Sequence, residues 1–189
     1  SGNPARSLEF AMSHDLFSSL DSFAAVSSAA GSLLFRDVAG EYRSAEPAEV
    51  LQAALRVLAG QLRGTEMLSS PQVVRDFLRI KLGTLEHEVF AVIHLDVQHR
   101  VIEYVEMFRG TVNQTSVYPR EIVKEALARN SAALILVHNH PSGVAEPSRA
   151  DEALTQTLKS ALSLVDVRVI DHLIVAGPTI LSFAERGLI

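Results

Sequence analysis

The sequence predicts an α/β (α+β) protein: a mixed β-sheet flanked by helices, preceded by a helical N-terminal extension. Three observations lead to the sheet-and-helix part of that prediction. Hydrophobic residues make up 48% of the 189 residues and charged residues only 21%, the balance of a chain that buries a core. The apolar period changes at Glu88, from 3–4 residue spacing upstream to the short apolar runs and alternation of strands downstream. Beyond that point strand and helix patterns follow in the order β-β-α-β-α-β-β, which gathers the strands into one sheet with helices packed on it.

Taken in order, Ser1-Gly2 resembles a protease-cleavage scar, and residues up to Ala11 read as vector-derived, with Met12 the natural start. In residues 14–36 the positions Leu16, Leu20, Phe23 and Ala24, then Leu33, Leu34 and Phe35, suggest one or two short helices. No helix-hairpin-helix signature with paired glycines is present there. Residues 41–47 are polar and read as a connector. Pro47 suits a first helical turn, and Val50, Leu51, Ala54, Leu55, Leu58 and Leu62 share one face of the helix it opens. That face must bury against the following domain or against a second copy of the chain in a homodimer. Ser69-Ser70-Pro71 is an N-cap followed by Pro, opening a helix with Val73, Val74, Phe77, Leu78 and Leu82 that Gly83 ends. The expected division is therefore an extension over residues 1–66 and a domain over residues 67–189.

Residues 89–95 read as a β-rich strand, 96–100 as a turn and 101–108 as a second strand. Pro119 opens a helix carrying Ile122, Val123, Ala126 and Leu127. The run Ala132-Ala133-Leu134-Ile135-Leu136-Val137 has the length of a buried strand. Ala153, Leu154, Leu158, Ala161, Leu162 and Val165 place a helix over residues 149–165. Strands over 167–175 and 180–183, joined at Gly177-Pro178, complete the sheet.

Composition narrows the function. The chain has no cysteine, so neither a disulfide framework nor a cysteine zinc site is available. No apolar run reaches membrane-spanning length and no signal-peptide pattern opens the chain, so a cytoplasmic protein without a membrane partner is expected. A net charge of −5 is a poor footprint for strong duplex binding.

The chemistry gathers in His138-Asn139-His140-Pro141-Ser142-Gly143 and the Ser148-Arg149-Ala150-Asp151 that follows. If the strand continues to His140, both imidazoles share a face, since side chains two apart do so. The Pro-Ser-Gly turn then returns Asp151 towards them. Two His and one Asp are ligands that suit Zn²⁺ with its fourth position open. Ser148 and Asp151 also form a capping box. Spacing alone leaves a metal site and a solvated histidine pair beside a helix cap equally open.

His-x-His, seven residues, then Ser-x-x-Asp resembles the motif of the JAMM (MPN) metalloprotease fold. The flanking His-Asn-His-Pro-Ser-Gly, Val117-Tyr118-Pro119-Arg120-Glu121 and Asp171-His172 resemble the bacterial RadC family over about residues 50–189. The resemblance implies Zn²⁺ held by His138, His140 and Asp151. It implies a general-base glutamate opening the strand before the core, and Glu88-Val89-Phe90-Ala91-Val92 matches that context better than Glu86 or Glu103. Without it, Glu88 reads as a solvated glutamate at a strand start. Ser148 then becomes an oxyanion donor as well as an N-cap. Full-length RadC-like chains usually carry a helix-hairpin-helix element before this domain, so the lack of its signature weakens a DNA role.

Three functions follow as expectations. The first is a zinc-dependent hydrolase acting on the amide bond of a protein or peptide substrate; the second is a DNA-repair-associated accessory protein, DNA-binding or nuclease-like. The third is a scaffold with a vestigial site. Phosphodiester cleavage usually recruits two metals or an Arg/Lys clamp, and this motif offers only Arg149, with Glu146 and Glu152. Among other residues, His172 reads first as a satisfied buried histidine and second as a neighbour supporting a ligand. His14, His87, His94 and His99 show no partner pattern, and Arg120 reads as pairing with a neighbouring Glu.

Overall fold

The computed structural model describes residues 33–36, 39–63, 71–110 and 117–189. The expected helices around Leu16, Leu20, Phe23 and Ala24, the Ser69-Ser70 cap and His14 lie outside them. Two compact units divide between Val50 and Leu51.

In the first unit β1 (Leu34–Arg36) and β2 (Tyr42–Ser44) pair antiparallel as a hairpin. This corrects the sequence reading, which put residues 33–35 in a helix and 41–47 in a connector. Strands of three residues are too short for an alternation pattern. Their pairing rests on local bonds instead, with the Ala45 amide donating to the Leu33 carbonyl at 2.7 Å. Gly40, at φ +89°, supplies the backbone angle that the turn requires. The helix α1 (Pro47–Leu62) begins here, and Arg43 donates to both carboxylate oxygens of Glu49 in its first turn, at 2.8 and 2.6 Å.

The second unit contains α2 (Pro71–Leu82), β3 (Val89–Leu95), β4 (Val101–Arg109), α3 (Pro119–Ala128), β5 (Ala133–Asn139), α4 (Arg149–Ser163), β6 (Arg168–Ala176) and β7 (Thr179–Ser182). Five strands form one sheet in the order β4-β3-β5-β6-β7. Only β5 and β6 run parallel, and α4 supplies the long crossover that a parallel pair needs. The mixed sheet with flanking helices is the architecture expected of a JAMM/MPN-like domain.

The central strands β3 and β5 are buried along their whole length, which explains why they read as unbroken apolar runs. Ala91, Ile93, Leu95, Ala133, Ile135 and Val137 face a core built with Leu78 and Leu82 of α2 and with Leu58 and Leu62 of α1. Phe90, Val92, Leu134 and Leu136 face the other way, against Ile122 of α3 and Leu158 and Leu162 of α4. Each such leucine stabilises the fold by roughly 1.5–3 kcal/mol relative to exposure. The two-residue period of β5 therefore sends His138 to the α4 side and Asn139 to the α2 side. Gly83 closes α2 where its backbone nears Gly177; a Cβ there would stand 2.8 Å from the Gly177 carbonyl oxygen and 2.5 Å from that of Arg79.

Candidate metal centre

β5 ends at Asn139, and the His140 amide still bonds the Val175 carbonyl of β6 at 2.8 Å, so the extended path continues through the second histidine. Gly143, at φ +76°, then turns the chain, and its amide returns to the His140 carbonyl at 3.0 Å. The loop reaches α4 at Ser148, whose extended backbone makes it the N-cap. The Asp151 amide donates to Ser148 Oγ at 3.2 Å, and the Ser148 amide donates to Asp151 Oδ2 at 2.7 Å. This capping box aims the carboxylate back at the strand end, where the helix dipole favours its ionised form.

His138, His140 and Asp151 meet there, each offering one ligand atom within 4.8 Å of the others. The two Nε2 atoms lie 2.9 Å apart. His138 Nε2 is 3.3 Å from Asp151 Oδ1, and His140 Nε2 is 3.6 Å from Asp151 Oδ2. Tetrahedral zinc at about 2.1 Å from each ligand sets donor atoms about 3.4 Å apart. The nitrogen–nitrogen distance and the two nitrogen–oxygen distances, one to each Asp151 oxygen, fall on either side of that value.

Protonation sharpens the fit. His140 Nδ1 lies 2.7 Å from the Val144 carbonyl, which only accepts, so this nitrogen carries a proton and, in the neutral ring, Nε2 has the lone pair. His138 Nδ1 is likewise engaged behind the site, 2.8 Å from His172 Nε2. Two ring nitrogens and a carboxylate thus converge on one point, where a shared proton or a cation can sit between them. With a proton in that role, the hydrogen bond to Asp151 raises the His140 pKa, against burial and with smaller help from Val144 and the charge of Glu88. Burial opposes ionisation of Asp151, yet hydrogen bonds from His138, His140 and Ser148 outweigh it and hold the carboxyl well below the usual carboxylate range. The donor set therefore fits a divalent metal ion that takes nitrogen and oxygen ligands.

Ser148 Oγ donates to Asp151 Oδ2 at 2.6 Å, so its hydroxyl is bound to the cluster as well as to the helix. Glu88 stands immediately before β3 and is half-buried, whereas Glu86 is exposed. Glu103 is drawn off by Arg129 at 2.8 Å. Sequence reasoning missed what holds the Glu88 segment. Asn139, between the two histidines and 1% exposed, accepts from the Val89 amide at 2.7 Å. Its Nδ2 donates to the His87 carbonyl at 3.0 Å. One carboxamide brackets Glu88 from both neighbours and ties it to the ligand strand. The signal was the residue type: an amide between two His can satisfy both a donor and an acceptor where a ladder ends.

The remaining histidines separate clearly. His172 is fully buried and bonded to His138, so it is both satisfied and joined to the site. His94 is core, with Nδ1 2.8 Å from Ser131 Oγ. His87 receives a bond from Arg109 at 2.6 Å, and His99 Nε2 lies 2.8 Å from Arg168. Arg120 pairs with Glu121 at 3.1 Å. Among the described residues no helix is long and apolar enough to cross a membrane.

Comparison with known proteins identifies the family. Residues 68–188 match the family model of the RadC-like JAB domain. A UPF0758 protein of Methylibium petroleiphilum is 62% identical over 150 residues, covering 79% of this chain and 68% of that protein. A second, from Leptothrix cholodnii, is 61% identical over 150 residues with the same shares, 79% and 68%. A third, from Polaromonas sp., is 58% identical over 150 residues, covering 79% of this chain and 67% of the relative.

Proposed function

The chain belongs to the RadC-like JAB domain family, and from that premise we propose that it is a zinc-dependent hydrolase of peptide or isopeptide bonds. The observation that carries the proposal is the convergence of His138 Nε2, His140 Nε2 and Asp151 at separations suited to one metal ion, with both imidazole Nδ1 atoms engaged elsewhere. When bound, zinc would supply a Lewis acid that acidifies a water and polarises a carbonyl.

The residues of this chain supply the rest. Glu88 accepts a proton on its carboxylate from the attacking water and returns it to the leaving nitrogen. Ser148 Oγ turns from the Asp151 carboxylate to donate to the developing oxyanion, an interaction worth about 3 kcal/mol of barrier in comparable sites. Asn139 keeps Glu88 beside the ligand strand while this happens. Among the described strands β4 is the sheet edge next to β3, a place where an extended protein or peptide segment could add by main-chain hydrogen bonds. A neutral carbonyl needs one Lewis acid, one base and one oxyanion donor, and no basic surface, which suits a net charge of −5.

The test offers the zinc-loaded protein a panel of peptides and ubiquitin-like conjugates alongside single- and double-stranded DNA. Amide cleavage that chelation and His140→Ala both abolish is expected. Metal-dependent DNA cleavage lost in His140→Ala, without amide turnover, would replace this reading with a nuclease.

A further inference from the structure

Behind the site, a chain of hydrogen bonds runs from one metal-ligand candidate to another without passing through the metal position. Thr155 lies one turn beyond Asp151 in α4, and its Oγ1 donates to the Asp151 carbonyl at 2.6 Å. That carbonyl can only accept, so the single hydroxyl proton is committed to it. The same oxygen lies 2.6 Å from His172 Nδ1 and must therefore accept a proton from it. His172 is 0% exposed and enclosed by Phe90, at 5.9 Å between ring centroids, and Phe183, at 4.7 Å. Such surroundings give no compensation for a full charge, so the ring is neutral and its Nε2 carries a lone pair. That lone pair faces His138 Nδ1 at 2.8 Å. His138 is left with its proton on Nδ1 and its own lone pair on Nε2, directed at His140 and Asp151.

We propose that Thr155 and His172 are positioning residues that fix the tautomer of His138, making it a metal ligand before any ion arrives. This deepens the zinc reading above and rests on it for its purpose. A packing role alone would require only the shape of His172. The observed chain requires a particular donor at each step, and it anchors on the backbone carbonyl of Asp151, while the Asp151 carboxylate is aimed by Ser148. His140 is fixed separately by the Val144 carbonyl.

Thr155→Val keeps the shape and removes the hydroxyl. His172 then has no acceptor for Nδ1–H and gains by moving that proton to Nε2, which opposes His138 Nδ1–H and drives His138 to the Nε2–H form. The experiment reads imidazole ¹⁵N shifts of the metal-free full chain, and zinc affinity by competition with a chromophoric chelator. Wild type should show His138 protonated on Nδ1. Thr155→Val should show it protonated on Nε2 and weaken zinc by about 10–100-fold, and Thr155→Ser should restore both. An unchanged His138 tautomer with unchanged zinc affinity in folded Thr155→Val would overturn the proposal. Wild-type protein that binds no zinc would overturn the zinc reading instead, while the metal-free shifts still decide the relay.

Discussion

The two imidazole Nε2 atoms stand 2.9 Å apart beside the Asp151 carboxylate, with each Nδ1 engaged on the far side of its ring. A cation between them would be held by all three side chains. Two consequences follow for single residues. Glu88→Gln keeps the size of the side chain but cannot accept a proton from water. It should therefore bind zinc as wild type does and lose about 10²–10⁴-fold in amide turnover, as zinc titration and turnover measured on the same preparation would show. Asn139→Ala removes two bonds from the buried start of β3 and leaves the Val89 amide unsatisfied. It should cost on the order of 2 kcal/mol in denaturant unfolding, with the ligand atoms themselves untouched.

Among elements, β3 carries a second buried histidine whose behaviour differs from those of the site. Burial pushes His94 down to about 4, with the nearby Arg129 acting in the same direction. An unfolded chain protonates this ring near pH 6.5, so between about pH 6.5 and 4 the unfolded state binds the extra proton. Stability should thus fall as pH drops through that window, by on the order of 2 kcal/mol from this residue, and be unaffected by it above. Comparing urea unfolding of wild type and His94→Gln from pH 4 to 7 checks the slope, which the variant should flatten. Elements of this size were legible in the sequence because β3 and β5 are buried on both faces and α2, α3 and α4 each bury one. Their periods report their surroundings directly. The apolar side of α1 was legible for the same reason, and Leu58 and Leu62 do enter the core. The hairpin of β1 and β2 was not, since pairing over three residues leaves no period to read. The His138–His172 contact was hidden for a different reason. It joins adjacent parallel strands through a register, Leu136 opposite His172, that only the sheet establishes.

At the scale of the molecule, the motif from His138 to Asp151 was legible because strand, turn and capping box are all local. Glu88 and Asn139 come together only because β3 and β5 run antiparallel side by side. The family match covers the segment that carries these side chains, and a net charge of −5 is a poor footprint for strong duplex binding. The proposed chemistry depends on one ion at one place. The most direct measurement is anomalous diffraction at the zinc edge from crystals of the zinc-loaded protein. A single strong peak is expected about 2.0–2.2 Å from His138 Nε2, His140 Nε2 and an Asp151 carboxylate oxygen, absent in His140→Ala. Stoichiometric zinc found elsewhere on the molecule, or no zinc retained between these three side chains, would contradict it.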